Sequence, residues 1–161
     1  MLKLVKEKTS LKVICMNRPR AAGFCYDDVE IETMFKDAEI LLENGADGIS
    51  FGFLNPDATI NTTHTKKMVE LIHRYRKKAV FHRAFDCVSD PYVAIQQLID
   101  CGVDRILTSG LQPTALQGCE LLNNLQFKFG ERVEILAGSG INVDNIETLR
   151  ERTGIHQFHG S

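Results

Sequence analysis

"GVDRILTSG", Gly102 to Gly110, joins a glycine that stops a helix, an apolar-acidic step, and a β-rich run that gives out in a small hydroxylated turn. "GADGISFG", Gly45 to Gly52, repeats the order: stop-glycine, apolar residue, aspartate, strand. A strand entered directly from one helix and left through a turn into the next has no hairpin partner, so its neighbours must lie parallel to it. Outward from these two junctions the alternation continues. Strands are predicted over Leu11–Asn17, Gly48–Phe51, Ala79–Ala84, Arg105–Thr108, Val133–Ala137 and His156–His159, spaced roughly 22 to 35 residues apart, the period of a βα unit. The fold class is α/β, a parallel (β/α) TIM-barrel type that is incomplete with about six strands, because a full barrel takes ~250 residues and at least ~200.

The helices between them carry their own punctuation. In DDVEIETMFKDAEILLENGA the apolar residues Ile31, Met34, Phe35, Ala38, Leu41 and Leu42 recur at helical spacing, Asp27 and Glu30 form a capping box, and Gly45 is the stop. Asp90 followed by Pro91 opens another helix that Gly102 closes. Thr62 or Thr63 is expected to cap a third and Asn142 a later one. There is no low-complexity stretch or linker, so residues 1–161 read as a single domain.

Composition bounds the function. With 161 residues, 43% of them hydrophobic, a net charge of −2 and a pI near 6.2, the chain lacks the basic footprint that nucleic acid or an anionic membrane surface would need. No apolar run approaches a membrane span or a signal peptide, and five cysteines without a CxxC suit a reducing compartment. A cytoplasmic protein is expected. Cys15, Cys87, Cys101 and Cys119 sit beside apolar residues and are expected to pack as small hydrophobes.

Polar residues gather where the strands end. The first strand leaves through Arg18 and Arg20 around Pro19, the third through His82, Arg83 and Asp86, the fourth through Thr108 and Ser109, the fifth through the turn Gly138, Ser139 and Gly140, and the sixth through His159, Gly160 and Ser161. In parallel α/β folds that rim holds binding and catalysis. His82, Arg83 and Asp86 are therefore candidates for acid-base chemistry, against the alternatives of a satisfied core histidine and a structural Arg83–Asp86 pair. Arg18, Arg20, Thr108, Ser109, Gly138, Ser139, Gly140 and His159 are candidates to bind a small anion or phosphate, with a glycine turn of purely geometric purpose as the alternative at 138–140. Metal chelation by local spacing fails: His156 and His159 would face opposite sides of a strand, Cys15 and Met16 likewise, and His64 and His73 are too far apart along a helix.

Taken in order and separation, "RPR" (Arg18–Arg20), "GFCYDD" (Gly23–Asp28), "FHRAFD" (Phe81–Asp86), "RILTSG" (Arg105–Gly110), "ALQG" (Ala115–Gly118) and "AGSGI" (Ala137–Ile141) resemble the CutC family of copper homeostasis proteins, over about Leu11 to Ser161. The resemblance implies a cytoplasmic (β/α)8 barrel, a homo-oligomer, and a role in copper handling with no agreed enzymatic activity. Members of that family begin with two further βα units, whose cysteines have been proposed to bind copper, and end in a longer segment. Beside them this chain reads as truncated at both ends. Cu(I) is the cofactor the resemblance implies, with Cys25 in a rim loop as the surviving candidate ligand and His82 as its possible companion. Three functional readings follow: copper homeostasis, an enzyme on a small anionic or phosphorylated substrate, and an inactive truncated relative.

Overall fold

All six predicted strands form in the computed structural model, which describes residues 1–160; Ser161 lies outside the described residues. They are β1 (Ile14–Met16), β2 (Gly48–Phe51), β3 (Lys78–Phe81), β4 (Arg105–Thr108), β5 (Glu134–Gly138) and β6 (Gln157–His159). They pair in sequence order, every neighbour parallel, with β1 and β6 at opposite edges of one open sheet. The helices are α1 (Leu2–Lys8), α2 (Asp28–Glu43), α3 (Thr62–Arg74), α4 (Pro91–Asp100), α5 (Cys119–Phe129) and α6 (Ile146–Thr153).

Alternation along the strands divides the two faces. Ile49, Phe51, Ala79, Phe81, Ile106, Ile135 and Ala137 are buried in the core that the helices cover. Their neighbours Ile14, Met16, Ser50, Val80, Arg105, Leu107, Leu136 and Gln157 all line a single cleft on the other face, as the interior of a curled part-barrel would. Phe51, Phe53, Phe81 and Phe85 are the largest fully buried side chains, and truncating any one would cost about 3–5 kcal/mol.

The repeated aspartates explain the echoed junction. Asp47, just before β2, accepts the Val13 N–H at 2.8 Å, and Asp104, just before β4, accepts the Ala79 N–H at 2.7 Å. Each carboxylate thus latches the entry of the preceding strand to its own. Lys6 bonds Asp47 at 2.6 Å, and this contact leads the causes that hold the Asp47 carboxyl down to about 2. The same contact ties down α1, a short charged helix with no buried residue and therefore no periodic signal in the sequence.

Several local expectations need correcting. The third strand stops at Phe81 instead of Ala84, because His82 turns the chain into a 3₁₀ segment (Arg83–Cys87), its ring nitrogen accepting the Ala84 N–H. Asn61 caps α3, taking the His64 N–H at 3.1 Å, so neither Thr62 nor Thr63 is the cap. Asn142 does not open a helix: its side chain closes a turn onto Asp144 and Asn145, and α6 starts only at Ile146. Cys101 and Cys119 are buried as expected, whereas Cys87 is exposed and Cys15, on the edge strand β1, is half-buried. The capping box of Asp27 with Glu30 and the Asp90–Pro91 helix start form as predicted.

Candidate functional site

The cleft above the sheet has a volume of about 740 Å3 and is lined from the beginnings of the strands to their C-terminal ends. At the strand ends it is lined by Arg18, Phe24, His82, Arg83, Ser139 and His159, along the strands by Val80, Leu107 and Leu136, and at the strand beginnings by Arg105 and the exposed Lys12. Lys12, Arg18, Arg83 and Arg105 line it, and among the described residues no aspartate or glutamate does. Arg105 is neutralised from beside the cleft by Glu134, its register partner on β5, at 2.6 Å. Arg18 has no acidic partner within ion-pair distance among the described residues. Its guanidinium donates to the Ala22 carbonyl at 2.8 Å and lies over the Phe24 ring, 4.7 Å from the centroid.

His82 sits beneath that layer. It is 4% exposed, with Phe24 5.0 Å from its ring centroid. Burial and, second, the charge of Arg18 hold its pKa down to about 4, so the imidazole is neutral near pH 7. Gly52 makes room for it: a Cβ there would stand 2.6 Å from His82 Cε1, so any side chain at 52 would push the ring out of place.

Asp86 has a different part. Its carboxylate, 8% exposed, accepts the Thr108 hydroxyl at 2.5 Å, the Ser109 N–H at 3.0 Å and the Leu111 N–H at 3.3 Å, and lies 3.0 Å from the Ser109 hydroxyl, whose one proton the Gln112 carbonyl also takes at 2.5 Å. Arg83 donates to it through Nε at 2.6 Å and reaches the Ser109 hydroxyl at 2.9 Å. Thr108 and Ser109 are themselves fully buried and do not line the cleft. Asp86 is thus a clamp that fixes the exit of β4 and orients Arg83, whose outer face remains in the cleft.

The remaining predicted site residues divide in the same way. Ser139 and Gly140 line the cleft, Ser139 in a left-handed conformation (φ 83°) that its hydroxyl secures by donating to the Pro113 carbonyl at 2.7 Å. Gly138 is buried beside Leu107, and no helix starts directly after this turn to add a dipole. Arg20 lies outside the cleft, paired with Glu30 and donating to the Cys25 carbonyl at 2.9 Å. Cys25 is exposed in a separate outer groove with Arg20, Cys87 and the 54–58 turn, a groove that His82 does not line. The proposed companionship of Cys25 with His82 is therefore not formed. Among the described residues no three of His, Cys, Asp and Glu converge as a metal site. Phe24, Lys12 and Arg105 are lining residues that sequence reasoning missed; the first lies in a loop with no periodicity, and the others stand at strand beginnings.

Against known proteins, the family model described as the CutC family matches residues 1–161. The chain belongs to the CutC family. A CutC family protein of Treponema denticola is 44% identical over 98% of this chain, and one of Bacteroides fragilis is 42% identical over all of it. This CutC chain spans only 63% and 62% of those relatives' lengths. A CutC protein of Streptococcus agalactiae, named for copper homeostasis, has a crystal structure that matches with a TM-score of 0.91 at 28% identity, covering 99% of this chain and 78% of that one. KGPDC of Streptococcus mutans matches at a TM-score of 0.66 and 16% identity, over 98% of this chain and 65% of that one, a likeness of fold alone. The sheet is a TIM-barrel-like part-barrel, and no helix among the described residues is long and apolar enough to cross a membrane.

Proposed function

We propose that this CutC chain binds a small oxyanion, a carboxylate or phosphate, at the rim of the cleft. What carries the reading is Arg18, a lining guanidinium with no acidic partner within ion-pair distance among the described residues, with Lys12 also unpaired in the lining while Arg83 and Arg105 are balanced by Asp86 and Glu134. Arg18 is the primary contact, since its guanidinium is held only by a carbonyl and an aromatic ring, both weaker partners than an oxyanion. Arg83 is the second, presented by the Asp86 clamp. Ser139 and Gly140 border the anion, and the imidazoles of His82 and His159 stand on the same rim. A thermal-shift screen against phosphate, sulfate, sugar phosphates and short carboxylates tests this. An anion at ~100 times its dissociation constant should stabilise the protein by about 2.7 kcal/mol, and Arg18→Ala should abolish the shift. No stabilisation by any of them, with Arg18→Ala behaving as wild type, would sink the reading.

A role in copper handling is the second reading. The name of the Streptococcus agalactiae relative suggests it, and one observation favours it: Cys25 and Cys87 are both exposed and line the same outer groove. Two thiolates suit Cu(I), and Arg18 and Arg20 in that groove would offset the negative charge of the complex. Stoichiometric Cu(I) in thiol-free buffer should protect both cysteines from alkylation. Equal labelling with and without the metal would dismiss direct binding.

A further inference from the structure

The edge of the His82 imidazole has no part yet. Nδ1 accepts the Ala84 N–H at 3.2 Å, which leaves the ring proton on Nε2. That Nε2 is buried and has no acceptor among the described residues, a condition that folded proteins seldom leave unexplained. His82 lines a cleft together with Arg18, Arg83, Val80, Leu107 and Leu136, so a ligand with a charged head and a short carbon skeleton fits beside the imidazole. Resting on the anion reading above, we propose that the ligand presents a second, uncharged acceptor oxygen to the His82 Nε2–H, so that the cleft selects hydroxy- or oxo-acids and their phosphate counterparts over bare oxyanions.

The charged groups around the ring agree with this. Arg18 faces His82 across Phe24, Arg83 follows it in the chain, and His159 stands on the same rim; among the described residues no carboxylate lines the cleft there to draw a proton onto the ring. With its pKa held down to about 4, His82 is an uncharged donor and recognises an acceptor, not a second negative charge. Access follows from the stack. Phe24 packs on the His82 ring and Arg18 on Phe24, so an acid group that draws Arg18 into an ion pair frees Phe24 to move away from the imidazole.

The test uses the whole chain and matched probes: lactate and pyruvate against propionate, glycerol phosphate against ethyl phosphate, each titrated by calorimetry. The oxygen-bearing member should bind about two- to tenfold more tightly, the size of one net hydrogen bond. In His82→Phe that preference should vanish while ordinary anion binding persists. Because a buried substitution can also unfold the protein, the imidazole ¹⁵N–¹H signal of wild-type His82 provides an independent readout, shifting with lactate and not with propionate. Equal affinity within each pair overturns the inference and leaves the anion reading intact; no binding of any probe overturns both. A preference that survives in a folded His82→Phe variant also overturns it.

Discussion

Replacing Asp86 with alanine is expected to lower the stability of the protein by about 3–5 kcal/mol and its melting temperature by on the order of 10 °C. The size comes from what loses its acceptor. Thr108 and Ser109 are fully buried, and the Asp86 carboxylate satisfies the Thr108 hydroxyl and the Ser109 and Leu111 N–H groups, whereas the Ser109 hydroxyl keeps the Gln112 carbonyl at 2.5 Å as an acceptor. Water cannot replace it there without opening the β4 exit. Each stranded buried donor costs about 1–3 kcal/mol, and Arg83 loses its counter-ion as well, though at its 42% exposure that loss is small. Asp86→Asn should fall between wild type and alanine, since one oxygen can still serve Thr108 and Ser109 while the amide N–H groups oppose Arg83. Urea unfolding measures this as a fall in the midpoint at constant slope. A loss under about 1 kcal/mol for the alanine variant would show that Asp86 is not the clamp described, and would reopen its candidacy for acid-base chemistry.

That outcome bears on how far the sequence could be read. The fold was legible because its signals are local: stop-glycines, caps and apolar periodicity each lie within one turn or one strand. The repeated aspartates were visible as a pattern but not as a device, since Asp47 and Asp104 act on the neighbouring strand. The rim was legible for the same geometric reason as the strands, and Arg18, His82, Arg83, Ser139 and His159 do share one cleft. What the sequence could not sort was which rim residues face the cleft and which hold it. Arg18 and Arg20 are equivalent as letters around Pro19, yet Arg20 is taken by Glu30, a residue legible only as part of a capping box. Asp86 falls three residues after Arg83 on a tight turn, a spacing that allows the pair, but its bonds to Thr108, Ser109 and Leu111 come from packing β3 beside β4. The basic lining at the strand beginnings, Lys12 and Arg105, escaped notice because polar residues there look like ordinary solvated ends.

Between pH 6.5 and pH 4 the protein should lose about 3 kcal/mol of stability through His82 alone. The native imidazole titrates at about 4, whereas a free histidine does so near 6.5, so within that window the unfolded chain takes up a proton that the native protein refuses. Protons bound by the unfolded state alone pull the equilibrium toward it, so stability rises with pH across the window and is flat with respect to this group above it. Asp47 acts in a separate range: its lowered carboxyl stabilises the fold above pH ~3.8, and that contribution disappears only as the pH falls toward about 2. The variant that isolates the effect is His82→Asn, whose side-chain oxygen can still accept the Ala84 N–H but whose amide does not titrate. Subtracting its urea-derived stability from that of wild type at each pH removes the contributions of the other histidines. The difference should grow in favour of the asparagine variant as pH falls from 6.5 to 4. Arg18→Ala should narrow the window from its acid end, because removing the positive charge facing the ring lets the native imidazole protonate more easily. Parallel curves for wild type and His82→Asn would mean that His82 titrates like a solvated histidine, and the shielded, neutral donor on which its role in the cleft depends would not exist.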